Sequence, residues 1–353
     1  MAIIHPQILV INTGSTSTKL ALYEAESEKY KVTINHNPEE LLNLNDFEHQ
    51  IEFRREKIMN FLNHYHISLN KIDLFMCRGG LVRPVESGVY QVNERMIKDL
   101  KNAPKKHASN LAAVLGYNLS PVKTNVYIAD PVVVDEMQKI ARYSGHKNFE
   151  RKSIFHALNH KAVARSFAAE QNKNYEDLNL IIVHLGGGIS VGAHEKGKVV
   201  DVNQALDGEG PFSPERSGTL PTGDLLKEAF SGKYTLREME KMLVGQGGIV
   251  SYLGTNDMKA LEQSKEAYVQ EVIQAMTYQI SKYIGEMAVV LRGKIDAIIL
   301  TGGLAHSQKI TEQIKSYVEF LAPVYIFPGE DEMKALAYNG NLVWHKFLIP
   351  KEY

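Results

Sequence analysis

One cysteine, Cys77, stands in 353 residues. A lone thiol excludes an intramolecular disulfide and any cysteine-based zinc cluster. Long apolar runs are missing too. None reaches the roughly 18 residues that a membrane-spanning helix needs, and Met1-Ala-Ile-Ile-His5 lacks the basic n-region of a secretory signal. Neither sign of charge is in excess: 40 Lys and Arg stand against 41 Asp and Glu, a net charge of −1. That balance gives no electrostatic argument for nucleic acid or a membrane surface. The expectation is a cytoplasmic protein with neither as a partner. What is present is ordinary for a globular chain, 44% hydrophobic and 23% charged residues, and the length predicts two domains.

The most informative segment is I-L-V-I-N-T-G-S-T-S-T-K-L-A-L (Ile8–Leu22). Apolar flanks around a small, hydroxyl-rich centre read as strand, turn, strand, and such a turn aims backbone N–H groups and hydroxyls at one spot, as a chain of phosphates requires. A second unit of this kind, L-I-I-V-H-L-G-G-G-I-S-V-G-A-H (Leu180–His194), follows a helical stretch near Asn159–Asn172 and runs on into Val199–Val202. Two such openings predict a duplicated, two-lobed plan. A third element, I-D-A-I-I-L-T-G-G-L-A-H (Ile295–His306), is an apolar strand ending in two glycines before a helix near Ser307–Leu321. The glycines admit either an adenine and ribose or close helix–sheet packing. No G-x-G-x-x-G opens a helix after the first strand, so a Rossmann site is set aside. Apolar residues at three/four spacing predict a long helix over Glu266–Arg292 and a terminal helix over Asp331–Phe347. The charged stretch Glu48–Lys57 reads as a solvated helix face.

Chemistry-bearing residues fall at the ends of these elements. Arg78, closing the apolar strand of D-L-F-M-C-R-G-G-L, would be costly to bury without an anion. Arg216 lies in the Pro/Gly-rich loop Gly208–Asp224. Singly, each arginine suits a salt bridge; together they suit clamps for a carboxylate and a phosphate. In F-H-A-L-N-H-K (Phe155–Lys161), His156 and His160 are four apart, but no H-E-x-x-H glutamate or third ligand accompanies them, which argues against zinc. His160 suits a core or capping role. His156, at the helix entrance, can donate to a transferring phosphoryl group. His184 is open between ligand contact and core. Asp130 ends V-Y-I-A-D-P as a site carboxylate or a cap for a following helix. Glu332 is either a magnesium-holding carboxylate or a favourable charge at a helix N-terminus.

The ordered blocks N-T-G-S-T-S-T-K (Asn12–Lys19), C-R-G-G (Cys77–Gly80), F-H-A-L-N-H (Phe155–His160), H-L-G-G-G (His184–Gly188), P-E-R-S-G (Pro214–Gly218) and D-E-M-K (Asp331–Lys334) resemble those of the acetokinase family, most closely its butyrate kinases. The likeness runs from Ile8 to about residue 340. Sugar kinases, actins and heat-shock ATPases have D-x-G-x-T where Asn12 stands. The resemblance implies an α/β fold of two duplicated actin-like (ribonuclease H-like) lobes with a nucleotide cleft between them. The N-terminal lobe would span 1–150, completed by the C-terminal helix 335–353, and the C-terminal lobe 151–334. It also implies ATP/ADP and Mg²⁺ as cofactors, a small carboxylate as substrate, and a homodimer or higher homo-oligomer. By this likeness Asn12, Ser15, Thr16, Lys19, His184, Gly186, Gly187 and Gly188 would grip the nucleotide phosphates. Asp257, Met258 and Lys259 would contact the adenosine alongside Gly302, Gly303, Leu304 and Ala305. Arg78, Gly79, Gly80, Phe155 and Arg216 would bind the acyl substrate. His156 would stabilise the transition state, Asp130 would orient an arginine or the metal shell, and Asn12 and Glu332 would position Mg²⁺.

Two departures matter. Gly187 replaces the family's asparagine in the second turn, shifting that work to backbone N–H groups. Gly79 and Gly80 replace two valines after the arginine, which predicts an enlarged acyl pocket and a preference for butyrate or branched short acids. The alternatives are an acetate or propionate kinase of the same family, a sugar-type kinase with Asp130 as base, and a non-catalytic actin-like ATP-binding protein. The paired arginines favour an anionic acceptor.

Overall fold

The computed structural model describes residues 5–37, 40–41, 44, 46–103 and 107–353. They form two compact units: Met1–Val134 with Asp331–Tyr353, and Asp135–Glu330.

The first unit is built on strands β1 (Gln7–Thr13), β2 (Ser17–Glu24), β3 (Ser27–Asn35), β4 (Leu74–Arg78), β5 (Val89–Gln91) and β6 (Val126–Ala129). Their order is β3-β2-β1-β4-β6-β5. β1 to β3 form an antiparallel meander, β4 runs parallel to β1, and β6 parallel to β4. Continuous burial along β1 explains its unbroken apolar run, since helices cover both faces of such a strand. Helices α1 (Phe47–His64), α2 (Glu94–Lys101) and α3 (Asn110–Leu119) follow. Asp46 and Asn93 cap the first two by accepting the His49 and Met96 N–H groups, 2.9 Å each. The terminal helix, Glu332–Trp344, packs on β1 and β4. Gly340 lets it approach: a Cβ there would lie 2.8 Å from Met76 Cγ. This helix is shorter than the predicted Asp331–Phe347, with Asp331 as its N-cap.

The second unit opens with an exposed hairpin, β7 (Tyr143–His146) and β8 (Phe149–Glu150), and helix α4 (Ala157–Glu170). Its sheet comprises β9 (Asn179–Leu185), β10 (Ile189–Glu195), β11 (Lys198–Val202), β12 (Ala297–Gly302) and β13 (Val324–Pro328), in the order β11-β10-β9-β12-β13. This repeats β3-β2-β1-β4-β6 of the first unit position by position, strand directions included. Between β11 and β12 lie α5 (Thr222–Ala229), α6 (Leu236–Leu243), α7 (Gly248–Leu253), α8 (Met258–Gln263) and α9 (Ala267–Val290); α10 (Gln308–Val318) precedes β13. Alternation along β9 divides its side chains between two cores. Ile181, Val183 and Leu185 join the buried stripe of α9, whereas Leu180 and Ile182 pack against α4.

The units divide at 134/135 and 330/331, whereas the sequence reading set the limits at 150/151 and 334/335. The reason is where residues 135–151 make their bonds. Glu136 accepts from Lys161 Nζ (2.7 Å) and the Val199 N–H (2.8 Å), and the Gln138 N–H donates to the Val200 carbonyl (3.0 Å). Arg151 ties the Ala141 carbonyl to Asp201 at 2.9 and 3.0 Å.

Candidate functional site

In the first unit, the β1–β2 turn leaves Ser15, Thr16 and Lys19 exposed, while Asn12, Thr13 and Thr18 are buried at its base. The register pairs Asn12 with Lys19, and the Gly14 N–H closes the turn on the Ser17 carbonyl at 2.9 Å. Asn12 meets two other predicted site residues. Its Nδ2 donates to Glu332 Oε2 (2.7 Å), and Arg78 Nη1 donates to its Oδ1 (3.3 Å) and lies 3.9 Å from Glu332 Oε2. Glu332 is therefore buried against β1 as well as sitting at a helix N-terminus. The cluster offers one carboxylate and one amide oxygen beside a cation.

Asp130 directly follows β6 with a left-handed φ of 38°, a conformation that costs a non-glycine residue energy. A turn and not a helix comes directly after it, so Asp130 caps no helix. Its Oδ1 accepts from Ser87 Oγ (2.6 Å) and the Gly88 N–H (2.8 Å). Gly79 and Gly80 also differ from expectation. A Cβ on Gly79 would lie 2.4 Å from Pro131 Cβ, and one on Gly80 2.6 Å from Asn110 Oδ1 and 2.8 Å from Leu100 Cδ2. Both glycines permit close packing within the unit, and the volume argument for an enlarged acyl pocket lapses.

A residue that the sequence reading missed holds this turn. Arg54, inside the stretch read as a solvated face, is fully buried. Its Nη1 donates to the Ser17 carbonyl (2.8 Å) and Thr18 Oγ1 (2.7 Å), and its Nη2 to the Gly14 (2.9 Å) and Ser15 (3.4 Å) carbonyls. With these carbonyl oxygens engaged by Arg54, Ser15, Thr16 and Lys19 are the side chains that the turn leaves exposed. Burial lowers the Arg54 pKa to about 10. Burial, with Arg54 3.1 Å away, lowers that of His36 to about 4. The signal in sequence was faint: an arginine three residues after Ile51 and four before Ile58, on the apolar stripe of α1.

In the second unit, the β9–β10 turn is Gly186–Gly188, with Gly187 exposed at its tip. The loop carrying Arg216 folds onto it. Ser213 Oγ donates to the Gly187 carbonyl, Arg216 Nη1 donates to the Ala205 carbonyl, and a Cβ on Gly188 would lie 2.2 Å from Arg216 Nη1. Gly188 thus makes room for the guanidinium, whose pKa burial lowers. Arg78 and Arg216 belong to different units, and each is placed within its own.

His156 precedes α4 at its N-cap position without a side-chain capping bond. Its ring stacks on that of His184, centroids 3.7 Å apart and planes 8° apart. His184 Nδ1 is 2.8 Å from Asn159 Oδ1, and its Nε2 is 2.9 Å from Glu330 Oε1. Buried as it is, His184 reaches the turn, because a Cβ on Gly186 would lie 3.0 Å from its Nε2. His160 is core, not cap, and Phe155 is buried edge-to-face against it at 5.1 Å.

The two segments expected at adenosine converge in this unit. Asp257 caps α8 by accepting the Ala260 N–H (3.1 Å), Met258 is buried in the core, and Lys259 is exposed. Glu262 of the same helix accepts from Ser307 Oγ (2.6 Å), just beyond Gly302–Ala305. The two glycines differ. Gly302, at φ 89°, would drive a Cβ to 2.5 Å from the Leu185 carbonyl oxygen, so it serves packing; Gly303 is exposed with open space where its Cβ would be. Leu304 is half-buried and Ala305 buried.

Two α/β lobes of repeated topology, each with a strand–turn–strand of small residues in its sheet, define an actin-like fold. Solved structures share it. The Porphyromonas gingivalis acetate kinase matches with a TM-score of 0.80 at 18% identity, covering 96% of this chain and 100% of that one. A propionate kinase from Francisella tularensis subsp. tularensis SCHU S4 matches at 0.76 with 20% identity, covering 95% and 98%. The Entamoeba histolytica acetate kinase matches at 0.74 with 17% identity, covering 94% and 97%. The acetokinase family model matches residues 138–326, more than half of the chain. The chain belongs to the acetokinase family, and is an ATP-dependent carboxylate phosphotransferase.

Proposed function

We propose that this protein is a short-chain carboxylate kinase, moving the ATP γ-phosphoryl group in line to a carboxylate oxygen of butyrate or a branched short acid, reversibly. The observation that carries the reading is the Arg78–Asn12–Glu332 cluster at the base of the first turn, a cation beside paired oxygen donors. A carboxylate is already ionised at pH 7, so the acceptor needs no base, only positioning and positive charge. Arg78 and Arg216 supply that charge to the substrate carboxylate and the phosphoryl group, with Gly79, Gly80 and Phe155 shaping the acyl site. His156 donates to the developing charge. Asp130 orients an arginine or the metal shell. Ser15, Thr16, Lys19, His184 and Gly186–Gly188 hold the phosphates; Asp257–Lys259 and Gly302–Ala305 hold the adenosine.

The donor set around Asn12 and Glu332 fits Mg²⁺, which prefers one or two carboxylates completed by water and phosphate oxygens. Among the described residues no cluster of three or more His, Cys, Asp or Glu could hold a metal alone. Bound there, the ion would neutralise the β- and γ-phosphate oxygens. A four-carbon preference rests on the motif likeness to butyrate kinases. The packed glycines remove its volume argument and leave acetate or propionate as the second reading.

The test traps acyl phosphate with hydroxylamine from Mg-ATP and acetate, propionate, butyrate or isobutyrate in parallel. The largest kcat/KM is expected with the four-carbon acids. A preference for acetate keeps the kinase and rejects the butyrate assignment; no product from any acid rejects both.

A further inference from the structure

Alternate residues of a strand share a face, so β10 presents Ser190, Gly192 and His194 together. One helical turn separates His156 from His160. The two sets interlock. Ser190 Oγ lies 2.9 Å from His156 Nδ1 and 2.9 Å from His160 Nε2. His160 Nδ1 lies 3.2 Å from His194 Nε2, and His194 Nδ1 lies 2.7 Å from the Tyr175 hydroxyl. Ser190, His160, His194 and Tyr175 are all buried, whereas His156 is half-buried. Gly192 makes the junction possible: a Cβ there would lie 3.2 Å from His160 Nδ1 and 3.4 Å from His194 Nε2.

We propose that this buried chain of hydrogen bonds fixes the tautomer of His156 with its proton on Nε2. Ser190, His160, His194 and Tyr175 are then positioning residues for the phosphoryl-facing donor. The inference rests on the role given to His156 above. A chain in which every member both gives and takes a proton has two self-consistent directions. In one, Tyr175 donates to His194 Nδ1, His194 Nε2–H to His160 Nδ1, His160 Nε2–H to Ser190 Oγ, and the Ser190 hydroxyl to His156 Nδ1. In the other, every proton is reversed and His156 turns a lone pair towards an anionic oxygen.

The role given to His156 selects the first direction, because only that one turns an N–H towards an anionic oxygen. Burial, reinforced by neighbouring Lys161, holds His160 and His194 well below the ordinary histidine pKa, so each ring has one donor and one acceptor.

The experiment reads the His156 tautomer by two-bond ¹H–¹⁵N correlation on histidine-labelled protein, assigned by loss of signal in His156→Gln. The wild type is expected to hold Nε2–H. Ser190→Ala and Tyr175→Phe are expected to move His156 towards Nδ1–H and to lower kcat about tenfold or more, as loss of a transition-state donor does. KM for ATP and acid should change less than about threefold. A merely structural role would lower the melting temperature and leave the tautomer alone. The inference is overturned if the wild-type ring carries Nδ1–H, or if both variants keep Nε2–H and wild-type turnover. Should the wild type make no acyl phosphate, the proposed activity fails by itself, and the tautomers still decide this inference.

Discussion

Arg54 offers the sharpest quantitative test, because nothing on the surface of α1 advertises it. Replacing it with methionine keeps most of the apolar stem and removes donors to Gly14, Ser17 and Thr18 at 2.7–2.9 Å and to Ser15 at 3.4 Å. Two effects oppose each other. Removing a buried cation relieves its desolvation, already incomplete in compensation because, among the described residues, Arg54 Nε and His36 Nδ1 find no partner. Exchanging whole buried ion pairs for apolar groups is often neutral for that reason. Here, however, most of the partners are backbone carbonyls, which no side-chain substitution removes. Each strands about 1–3 kcal/mol when left unpaired. With two short carbonyl bonds and the Thr18 hydroxyl lost, stranding wins, and Arg54→Met should cost about 3–5 kcal/mol of stability. Arg54→Lys keeps the charge but not the fork, and should cost about half as much. Urea unfolding measures both. In the Lys variant, which should remain folded, KM for ATP should rise more than kcat falls, because the turn proposed to grip phosphate is loosened while the proposed transferring centre is intact. A Met variant within about 1 kcal/mol of wild type, with unaltered KM for ATP, would refute this account.

Other outcomes follow from the same geometry. Restoring valine at Gly80 should destabilise the first unit by collision with Asn110 and Leu100; a folded Gly80→Val enzyme with a simple shift towards acetate would reinstate the pocket argument. Gly302→Ala, strained at φ 89° and 2.5 Å from the Leu185 carbonyl oxygen, should cost at least about 3 kcal/mol or abolish soluble expression. Glu332→Gln should raise the Mg²⁺ concentration giving half-maximal rate at least about tenfold, measured by metal titration at saturating ATP; an unchanged requirement would remove Glu332 from the metal site. For pH, His36 titrates near 4 in the folded chain against 6.5 for an ordinary histidine, and His160 and His194 are shifted the same way. The unfolded state then binds more protons below pH 6.5, so stability should fall as pH drops from 6.5 towards 4. Desolvated Asp201 and Glu286, raised from their ordinary values, act in the opposite sense. Melting temperatures flat across that window would contradict the buried, neutral histidines.

The two strand–turn–strand openings were legible because their signals are local: an apolar run, a small-residue tip and a second apolar run within 15 residues. The same holds for the stripe of α9, predicted over Glu266–Arg292 and found over Ala267–Val290. What sequence hid depends on contacts far along the chain. Arg54 looks like any charge in E-F-R-R-E-K until the turn 40 residues earlier folds over it. Gly79 and Gly80 looked like space because a missing side chain reads the same whether a ligand or another backbone fills the gap. Only the approach of Pro131 and Asn110 decides between them.

The histidines show the same limit from the other side. F-H-A-L-N-H made His156 and His160 conspicuous as a pair, and the lack of a third ligand in the sequence turned attention from zinc, but the pair alone says nothing about where either proton sits. That information lies in S-V-G-A-H (Ser190–His194), whose alternation places a hydroxyl, a gap and an imidazole on one buried strand face. A polar stripe of this kind is expensive inside a core unless each member is satisfied. Its cost is offset by hydrogen bonds that run from His156 to Tyr175. Breaking the chain at its far end therefore separates two accounts of the buried histidines. If they only fill the core, Tyr175→Phe, which removes one oxygen and no packing carbon, should leave turnover intact. If they hold a proton in place for a ring at the transferring phosphoryl group, that single oxygen should matter to kcat.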